Sequence, residues 1–164
     1  MKVLYFGGQK SGKSKLAEIK ALELSMDTKP YYIATYDNSY GDEEMQKRVL
    51  KHQNQRKDKF ETIEEKFELS KVISDDNTYL IDCISMWLLN GLEKSEDELI
   101  SEIEKISKKD ANLVFVLNDV SGGVIPFEKV SRKYVDLSGI IGQKLATICD
   151  EVYEVKLGLT QRLK

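Results

Sequence analysis

A glycine-rich stretch near the amino terminus constrains this chain more than any other feature of its sequence. It runs Gly7, Gly8, Gln9, Lys10, Ser11, Gly12, Lys13, Ser14 and matches the pattern G-x-x-x-x-G-K-[ST] at every position. An apolar run at 3–6 precedes it and indicates a buried strand, while apolar residues at 16, 19 and 22 begin a helical pattern after it. A chance match within a glycine turn is the alternative, but the flanking strand and helix argue against it. The stretch therefore predicts a loop that binds the phosphates of a nucleotide.

The residue types of this loop suit a phosphate ligand. Glycines let the backbone wrap around an anion, and the following helix points its free N–H groups and the positive end of its dipole at that anion. In this pattern the lysine, here Lys13, reaches the β- and γ-phosphates, and the hydroxyl of Ser14 binds Mg²⁺. We therefore expect a nucleotide together with Mg²⁺ at residues 7–14.

Apolar runs alternate with helical patterns along the chain. The runs at 2–6, 30–35, 78–83, 112–118 and 151–156 are predicted strands, and helical patterns lie between them. Such alternation predicts an α/β fold with a mostly parallel central sheet and helices on both faces. No repeat or low-complexity linker interrupts residues 1–164, which we interpret as a single domain.

Two of the helices carry further signals. Ser95 and Glu98 form a capping box, and apolar residues at 99, 103 and 106 follow it at helical spacing. The longest amphipathic pattern spans 130–148, about five turns. We predict that this helix packs on the sheet, and contact with another subunit is the alternative.

Composition excludes several classes of protein. The 164 residues include 25 basic and 28 acidic ones, interspersed, with a net charge of −3, so no general attraction to nucleic acid is expected. No apolar stretch approaches the length of a membrane span, and the amino terminus lacks a secretory apolar region. Cys83 and Cys149 have no metal-binding spacing and fit a reducing interior, so we expect a cytoplasmic protein.

A carboxylate ends one of the predicted strands. Asp82 follows Tyr79, Leu80 and Ile81, and in a phosphate-loop fold such a residue holds Mg²⁺ or its water shell beside the loop serine. Many buried strands end in Asp, and the alternative is a cap on the next helix, which we expect to begin near Ser85. We predict the metal role for Asp82 together with Ser14.

The polar segment 42–57 contains the only histidine of the chain. On a helix, Arg48, His52 and Arg56 would share one side, which would place an imidazole between two cations. That arrangement suits an anionic nucleotide better than a protein core. The alternative is a surface histidine on a charged helix, and the residues alone leave both interpretations open.

A turn-rich loop at 118–126 follows the predicted strand 112–118. In an open α/β sheet, ligands bind at the loops that follow the carboxyl ends of the strands. The length of this loop and its paired glycines, Gly122 and Gly123, favour a binding loop over a plain connection to the next helix.

Several sequence blocks together resemble a known family. They are GGQKSGKS at 7–14, YIAT at 32–35, DEEMQKRVLKHQNQR at 42–56, the T-x-E at 62–64, LIDC at 80–83, the loop at 118–126, and DLSGIIGQKLATICDEVYEVKLGL at 136–159. On these blocks, which cover nearly the whole chain, the protein resembles the bifunctional adenosylcobinamide kinase/adenosylcobinamide-phosphate guanylyltransferase family of cobalamin assembly. The blocks at 42–56 and 136–159 are much more specific than the phosphate loop.

The resemblance implies a RecA-like P-loop fold, a homotrimer and two reactions. In the first, the γ-phosphoryl group of ATP or GTP passes to the aminopropanol hydroxyl of adenosylcobinamide. In the second, GMP passes from GTP to the resulting phosphate through a guanylylated histidine, which by position is His52. The resemblance also implicates Thr35, Arg56, Glu64 and Asp82 around the nucleotide.

The chain departs from the family pattern in two places. Asp119 and Ser121 replace the Glu and Gly of N-E-V-G, and Ile140 and Gly142 replace the Arg and Asn of G-R-x-N-Q. The shorter carboxylate at 119 predicts a weaker kinase reaction if that group positions the hydroxyl. Two other functions therefore stay open: a different small-molecule P-loop kinase in which His52 is a bystander, and a nucleotide-binding regulator without turnover.

Overall fold

The computed structural model describes residues 1–26, 28–36 and 58–164 of the chain. Within these residues the elements follow one another as β1 (Lys2–Gly7), α1 (Lys13–Ser25), β2 (Tyr31–Ala34), β3 (Glu61–Glu64), α2 (Leu69–Val72), β4 (Thr78–Asp82), α3 (Ile84–Asn90), α4 (Glu96–Ser107), β5 (Asn112–Asn118), α5 (Lys129–Ile148), β6 (Glu151–Lys156) and β7 (Leu159–Arg162).

The described strands form one sheet in the order β3-β2-β4-β5-β1-β6-β7. All neighbouring pairs are parallel except β6 and β7, which form an antiparallel hairpin. The five predicted strands are present with ends within one residue of the prediction, so the mostly parallel α/β sheet is confirmed. The edge strands β3 and β7 were not predicted.

Helices cover both faces of the sheet because its central strands are apolar on both sides. Along β1, Val3 and Tyr5 point to one face and Leu4 to the other, as the two-residue period of a strand requires. The face with Val3 packs under α1, and the face with Leu4 packs under α3, α4 and α5. Burial on both faces is the arrangement expected for parallel strands.

Helix α1 lies where the sequence predicts it, but a different side contacts the sheet. Ala17 and Ala21 are fully buried, whereas Ile19 is 46% exposed. Leu16 and Leu22 pack only at the border of the buried cluster. Small side chains on the inner side let the helix approach the strands closely, so the large residues flank the contact instead of forming it.

The two predicted helical signals on the other face are confirmed. In α4 the hydroxyl of Ser95 accepts a bond from the amide of Glu98, whose carboxylate accepts one from the amide of Ser95. Helix α5 buries Leu137, Ile141 and Leu145 against the sheet and the neighbouring helices. Its first turn is less buried, because the loop before it projects into solvent.

Across residues 1–26, 28–36 and 58–164, no helix is both long and apolar enough to span a bilayer.

Candidate nucleotide-binding site

The glycine-rich stretch connects the end of β1 to the start of α1. At Gly7 the chain passes so close to β6 that an added Cβ would lie 2.2 Å from the carbonyl oxygen of Val155, so only glycine fits there. Gly12 has a φ of 100° directly before α1, a conformation that other residues rarely adopt. The two glycines let the chain turn between β1 and α1, and the Ser11 amide donates to the Gly8 carbonyl within this turn at 3.2 Å.

Lys13 lies across this loop. Its side chain is buried, and Nζ donates a hydrogen bond to the carbonyl oxygen of Gly8 at 3.0 Å. Burial lowers the pKa of the Lys13 ammonium, and the nearby Asp82 carboxylate acts in the opposite direction. A partly desolvated ammonium with spare donors is suited to neutralise phosphate oxygens.

Ser14 and Asp82 meet at the carboxyl edge of the sheet. The Ser14 hydroxyl donates to Oδ1 of Asp82 at 3.4 Å. The N-cap position of α3 is Cys83, so Asp82 lies one residue before the cap. The predicted pair of oxygen ligands is therefore brought together beside the phosphate loop.

The Ser14 and Asp82 oxygens suit Mg²⁺ better than they suit a metal ion whose ligands all come from the protein. Within the described residues, no group of three or more His, Cys, Asp or Glu side chains could hold a metal ion. Mg²⁺ is commonly bound by one or two protein oxygens together with phosphate oxygens and water. The donor set at Ser14 and Asp82 fits that mode of binding.

Two further predicted residues lie at the same edge of the sheet. The register pairs Ala34 with both Glu64 and Asp82, so β3, β2 and β4 end side by side. Thr35 is fully buried, and its hydroxyl donates to the Cys83 carbonyl at 2.8 Å and accepts from the Cys83 amide at 3.2 Å. Thr35 thus fixes the chain after Asp82, whereas Glu64 is exposed at the rim.

The remaining predicted site residues lie outside the described part of the chain. They are His52 and its neighbours Arg48 and Arg56.

Sequence reasoning missed the contribution of the β6–β7 hairpin. Its turn residues, Leu157 and Gly158, have φ values of 55° and 80°, and the Gly158 amide donates to the Ser11 carbonyl at 2.8 Å. The hairpin therefore supports the back of the phosphate loop. The sequence did contain a signal for this hairpin. A glycine stands between two short runs of alternating apolar and polar residues, and two-residue hairpin turns favour glycine.

The loop after β5 lies on the other side of the phosphate loop. The amide of Asp119 donates to the Gly7 carbonyl at 2.9 Å, and its carboxylate accepts bonds from the hydroxyl of Ser121 at 2.6 Å and from its amide at 2.9 Å. These bonds lower the pKa of the Asp119 carboxyl, with the Ser121 hydroxyl as the largest cause. This loop borders a groove of about 280 Å³ between α5 and the sheet.

Comparison with known proteins identifies relatives over the full chain. A family model described as cobinamide kinase / cobinamide phosphate guanyltransferase matches residues 3–163. The bifunctional adenosylcobalamin biosynthesis protein CobP of Pseudomonas aeruginosa is 32% identical over 173 residues, which cover 100% of this chain and 98% of that protein. The bifunctional adenosylcobalamin biosynthesis protein CobU of Escherichia coli is 29% identical over 186 residues, with both chains covered completely.

A solved structure shares the fold. The flagellar accessory protein FlaH of Methanocaldococcus jannaschii superposes with a TM-score of 0.53 at 15% identity, covering 99% of this chain and 77% of that one. At this identity the likeness concerns the fold alone, and the RecA-like P-loop arrangement expected from the sequence is confirmed.

Proposed function

Because the chain belongs to the cobinamide kinase / cobinamide phosphate guanyltransferase family, we propose that it catalyses both transfers, and that its own residues divide the roles as follows. The first reaction phosphorylates the hydroxyl of adenosylcobinamide with ATP or GTP. The second moves GMP from GTP onto the new phosphate and releases pyrophosphate. The observation that carries the proposal is the meeting of Lys13, Ser14 and Asp82 at one phosphate-binding loop.

Phosphoryl transfer depends on positioning and on neutralising charge more than on covalent chemistry by the protein. The amides of residues 8–14 and the Lys13 ammonium hold the β- and γ-phosphates in this proposal. Ser14 and Asp82 would hold Mg²⁺, which supplies positive charge at the phosphate oxygens. The Asp82 carboxylate also accepts a hydrogen bond from the Ser14 hydroxyl, and this bond keeps the two oxygens close together.

His52 is the proposed nucleophile of guanylyl transfer. A neutral imidazole nitrogen attacks the α-phosphorus of GTP, a P–N bond forms, and the bond to the pyrophosphate oxygen breaks. The phosphate of adenosylcobinamide phosphate then displaces the imidazole. Arg48 and Arg56 lie four residues before and after His52 in sequence, and in this proposal they supply positive charge for the phosphate oxygens of GTP.

Thr35, Glu64 and Arg56 are proposed to surround the nucleotide. The carboxyl edge of the sheet supports the first two, since Thr35 follows β2 and this strand lies between the ends of the strands that carry Glu64 and Asp82. The Thr35 hydroxyl is already engaged by the Cys83 backbone, so its contribution is to hold that edge in place. The family also implies a homotrimer that acts in the cytoplasm, and we include both in the proposal.

The test is intact-mass analysis after incubation with GTP and Mg²⁺. The wild-type chain should gain one GMP, and His52→Gln should gain none while it retains phosphorylation of adenosylcobinamide. A wild-type chain that phosphorylates adenosylcobinamide but never carries GMP would favour a kinase in which His52 is a bystander. Absence of both products would favour a nucleotide-binding regulator.

A further inference from the structure

Tyr32 lies in β2, next to the strand that ends in Asp82. Its side chain is buried, and its hydroxyl donates a hydrogen bond to the backbone carbonyl oxygen of Asp82 at 3.0 Å. The register pairs Tyr32 with Leu80, two residues before Asp82, which is a distance of about 6.6 Å along the strand. The Tyr32 ring therefore points along the sheet and reaches its carboxyl edge from a buried position.

Tyr32 approaches Asp82 on the face of the sheet that packs under α1. Tyr32 and Leu80 belong to the buried cluster on that face. Asp82, two residues after Leu80, directs its side chain to the same face, where the Ser14 hydroxyl bonds it. Phe60 packs edge-on against the Tyr32 ring, with 6.3 Å between the ring centroids. A ring that is packed in place thus holds the hydroxyl that reaches Asp82.

Side chains of β2 and of the residue after it hold both polar atoms of the peptide group between Asp82 and Cys83. The Tyr32 hydroxyl donates to its oxygen, and the Thr35 hydroxyl accepts from its N–H at 3.2 Å. The Thr35 hydroxyl also donates to the carbonyl of Cys83. These bonds restrict the backbone at Asp82, and they therefore limit the directions in which its carboxylate can project.

From these contacts we propose that Tyr32 is a positioning residue for the Mg²⁺ site of Ser14 and Asp82. The inference rests on the proposed function and on its metal pair. By holding the backbone of Asp82, the Tyr32 hydroxyl keeps the carboxylate close to the Ser14 hydroxyl, so that both oxygens can bind one ion. Replacing a residue behind a metal ligand commonly changes metal affinity about 10- to 100-fold. We expect about tenfold, because Tyr32 bonds the backbone of Asp82 instead of its carboxylate.

Nucleotide affinity with and without Mg²⁺ measures this role. The probe is α,β-methylene GTP, which cannot donate GMP, titrated calorimetrically in Mg²⁺ or in EDTA. Tyr32→Phe removes only the hydroxyl and should reduce the Mg²⁺-dependent gain in affinity about tenfold, with the affinity in EDTA unchanged. Tyr31→Phe is the matched control, since Tyr31 precedes Tyr32 in β2 and stacks on Tyr79 on the opposite face. It should match the wild type in both titrations.

Thr35 supplies a second pair of variants for the same peptide group. Thr35→Val removes the hydroxyl that accepts from the Cys83 amide and should also reduce the Mg²⁺-dependent gain, whereas Thr35→Ser keeps a hydroxyl and should restore it. In phosphorylation assays, excess Mg²⁺ should return Tyr32→Phe to the wild-type rate, because a positioning role weakens the metal site without removing a ligand. Circular dichroism verifies that each variant is folded.

The outcomes separate the role of Tyr32 from the proposed function. An unchanged Mg²⁺-dependent gain in Tyr32→Phe would overturn the proposal, whether or not Thr35→Val has an effect. Equal weakening of nucleotide binding in Mg²⁺ and in EDTA would show that the hydroxyl only stabilises the fold, and would also overturn it. A wild-type chain that binds the analogue equally well with and without Mg²⁺ would overturn the metal pair instead, and one that does not bind it would overturn the proposed function.

Discussion

At the scale of single residues, the phosphate loop gathers the charged and hydroxyl groups of the candidate site. The Lys13 ammonium is buried and donates to the Gly8 carbonyl, and the Ser14 hydroxyl donates to Oδ1 of Asp82. The Thr35 hydroxyl is bonded to the Cys83 backbone and so holds the chain that follows Asp82. Substitutions at this loop therefore test single contacts within one connected group of residues.

Replacing Lys13 should affect both reactions. Lys13→Ala removes the buried ammonium that neutralises the phosphate charge. We therefore expect the rates of phosphorylation and of GMP attachment each to fall about 100- to 1,000-fold. Lys15→Ala is the control, because Lys15 is exposed two residues further along α1. Steady-state rates and intact mass measure the two activities. Loss of only one activity in Lys13→Ala would contradict a shared phosphate site.

Ser121→Ala should change the titration of Asp119. The hydroxyl bond is the main cause of the lowered pKa of the Asp119 carboxyl, so its removal should move the pKa up towards the usual range for Asp. Carbon-detected NMR titration of labelled aspartate measures this directly. If the Asp119 carboxylate acts in the ionised form, the acid limb of the phosphorylation rate should shift to higher pH in the same variant. An unchanged titration would show that the amide bond alone holds the carboxylate.

At the scale of elements, the central strands were predictable and the edge strands were not. The runs 112–118 and 151–156 are apolar enough to be recognised as strands, and both have the predicted ends. Strand β3 consists of Glu61, Thr62, Ile63 and Glu64, and β7 is exposed at all four positions. Polar edge strands protect a sheet from further pairing, and the same polarity makes them resemble loops in sequence.

The close approach of the phosphate loop to β6 predicts that alanine substitutions at two adjacent glycines differ in their effect on the stability of the fold. Gly7→Ala places a Cβ 2.2 Å from the Val155 carbonyl and should lower the free energy of unfolding by about 1–3 kcal/mol or more. Gly8→Ala meets nothing within 4 Å and should leave stability within about 0.5 kcal/mol of wild type. Urea unfolding followed by circular dichroism compares them. Equal stabilities would show that the loop can move away from β6 at little cost.

The inner side of α1 gives a second prediction at this scale. Ala17 is fully buried against the sheet, so Ala17→Leu should overpack the contact and destabilise the fold by about 1–3 kcal/mol. Ile19 is 46% exposed, and Ile19→Ala should have a much smaller effect although it changes the side chain by the same number of carbon atoms. The same unfolding assay measures both. The opposite ranking would mean that α1 packs through the large residues that the sequence pattern suggested.

At the scale of the whole molecule, the order of the strands converts scattered residues into one site. The carboxyl ends of β1, β4 and β5 lie side by side, although the strands are separated by long stretches of chain. Alternation of apolar runs and helical patterns predicted a parallel sheet, but it does not specify that β5 inserts between β1 and β4. The strand order depends on how the apolar faces of the strands and their helical connections pack in the folded chain. Because β5 lies between β4 and β1, Asp119 follows a strand that lies between the phosphate loop and Asp82.

Nucleotide binding should therefore stabilise the whole fold, and should do so through Mg²⁺. A nucleotide at about 100 times its Kd adds about 2.7 kcal/mol, which in a chain of this size corresponds to a rise in Tm of about 5–10 °C. In Asp82→Asn the rise with GTP should no longer depend on Mg²⁺, because one of the two proposed ligands is lost. Asp76→Asn is the matched control, since Asp76 lies before β4, at the opposite end of the strand from Asp82. Its Tm should rise with GTP and Mg²⁺ as in the wild type. A Mg²⁺-dependent rise that persists in Asp82→Asn would place the metal elsewhere, and the Ser14–Asp82 contact would then serve only to join α1 to β4.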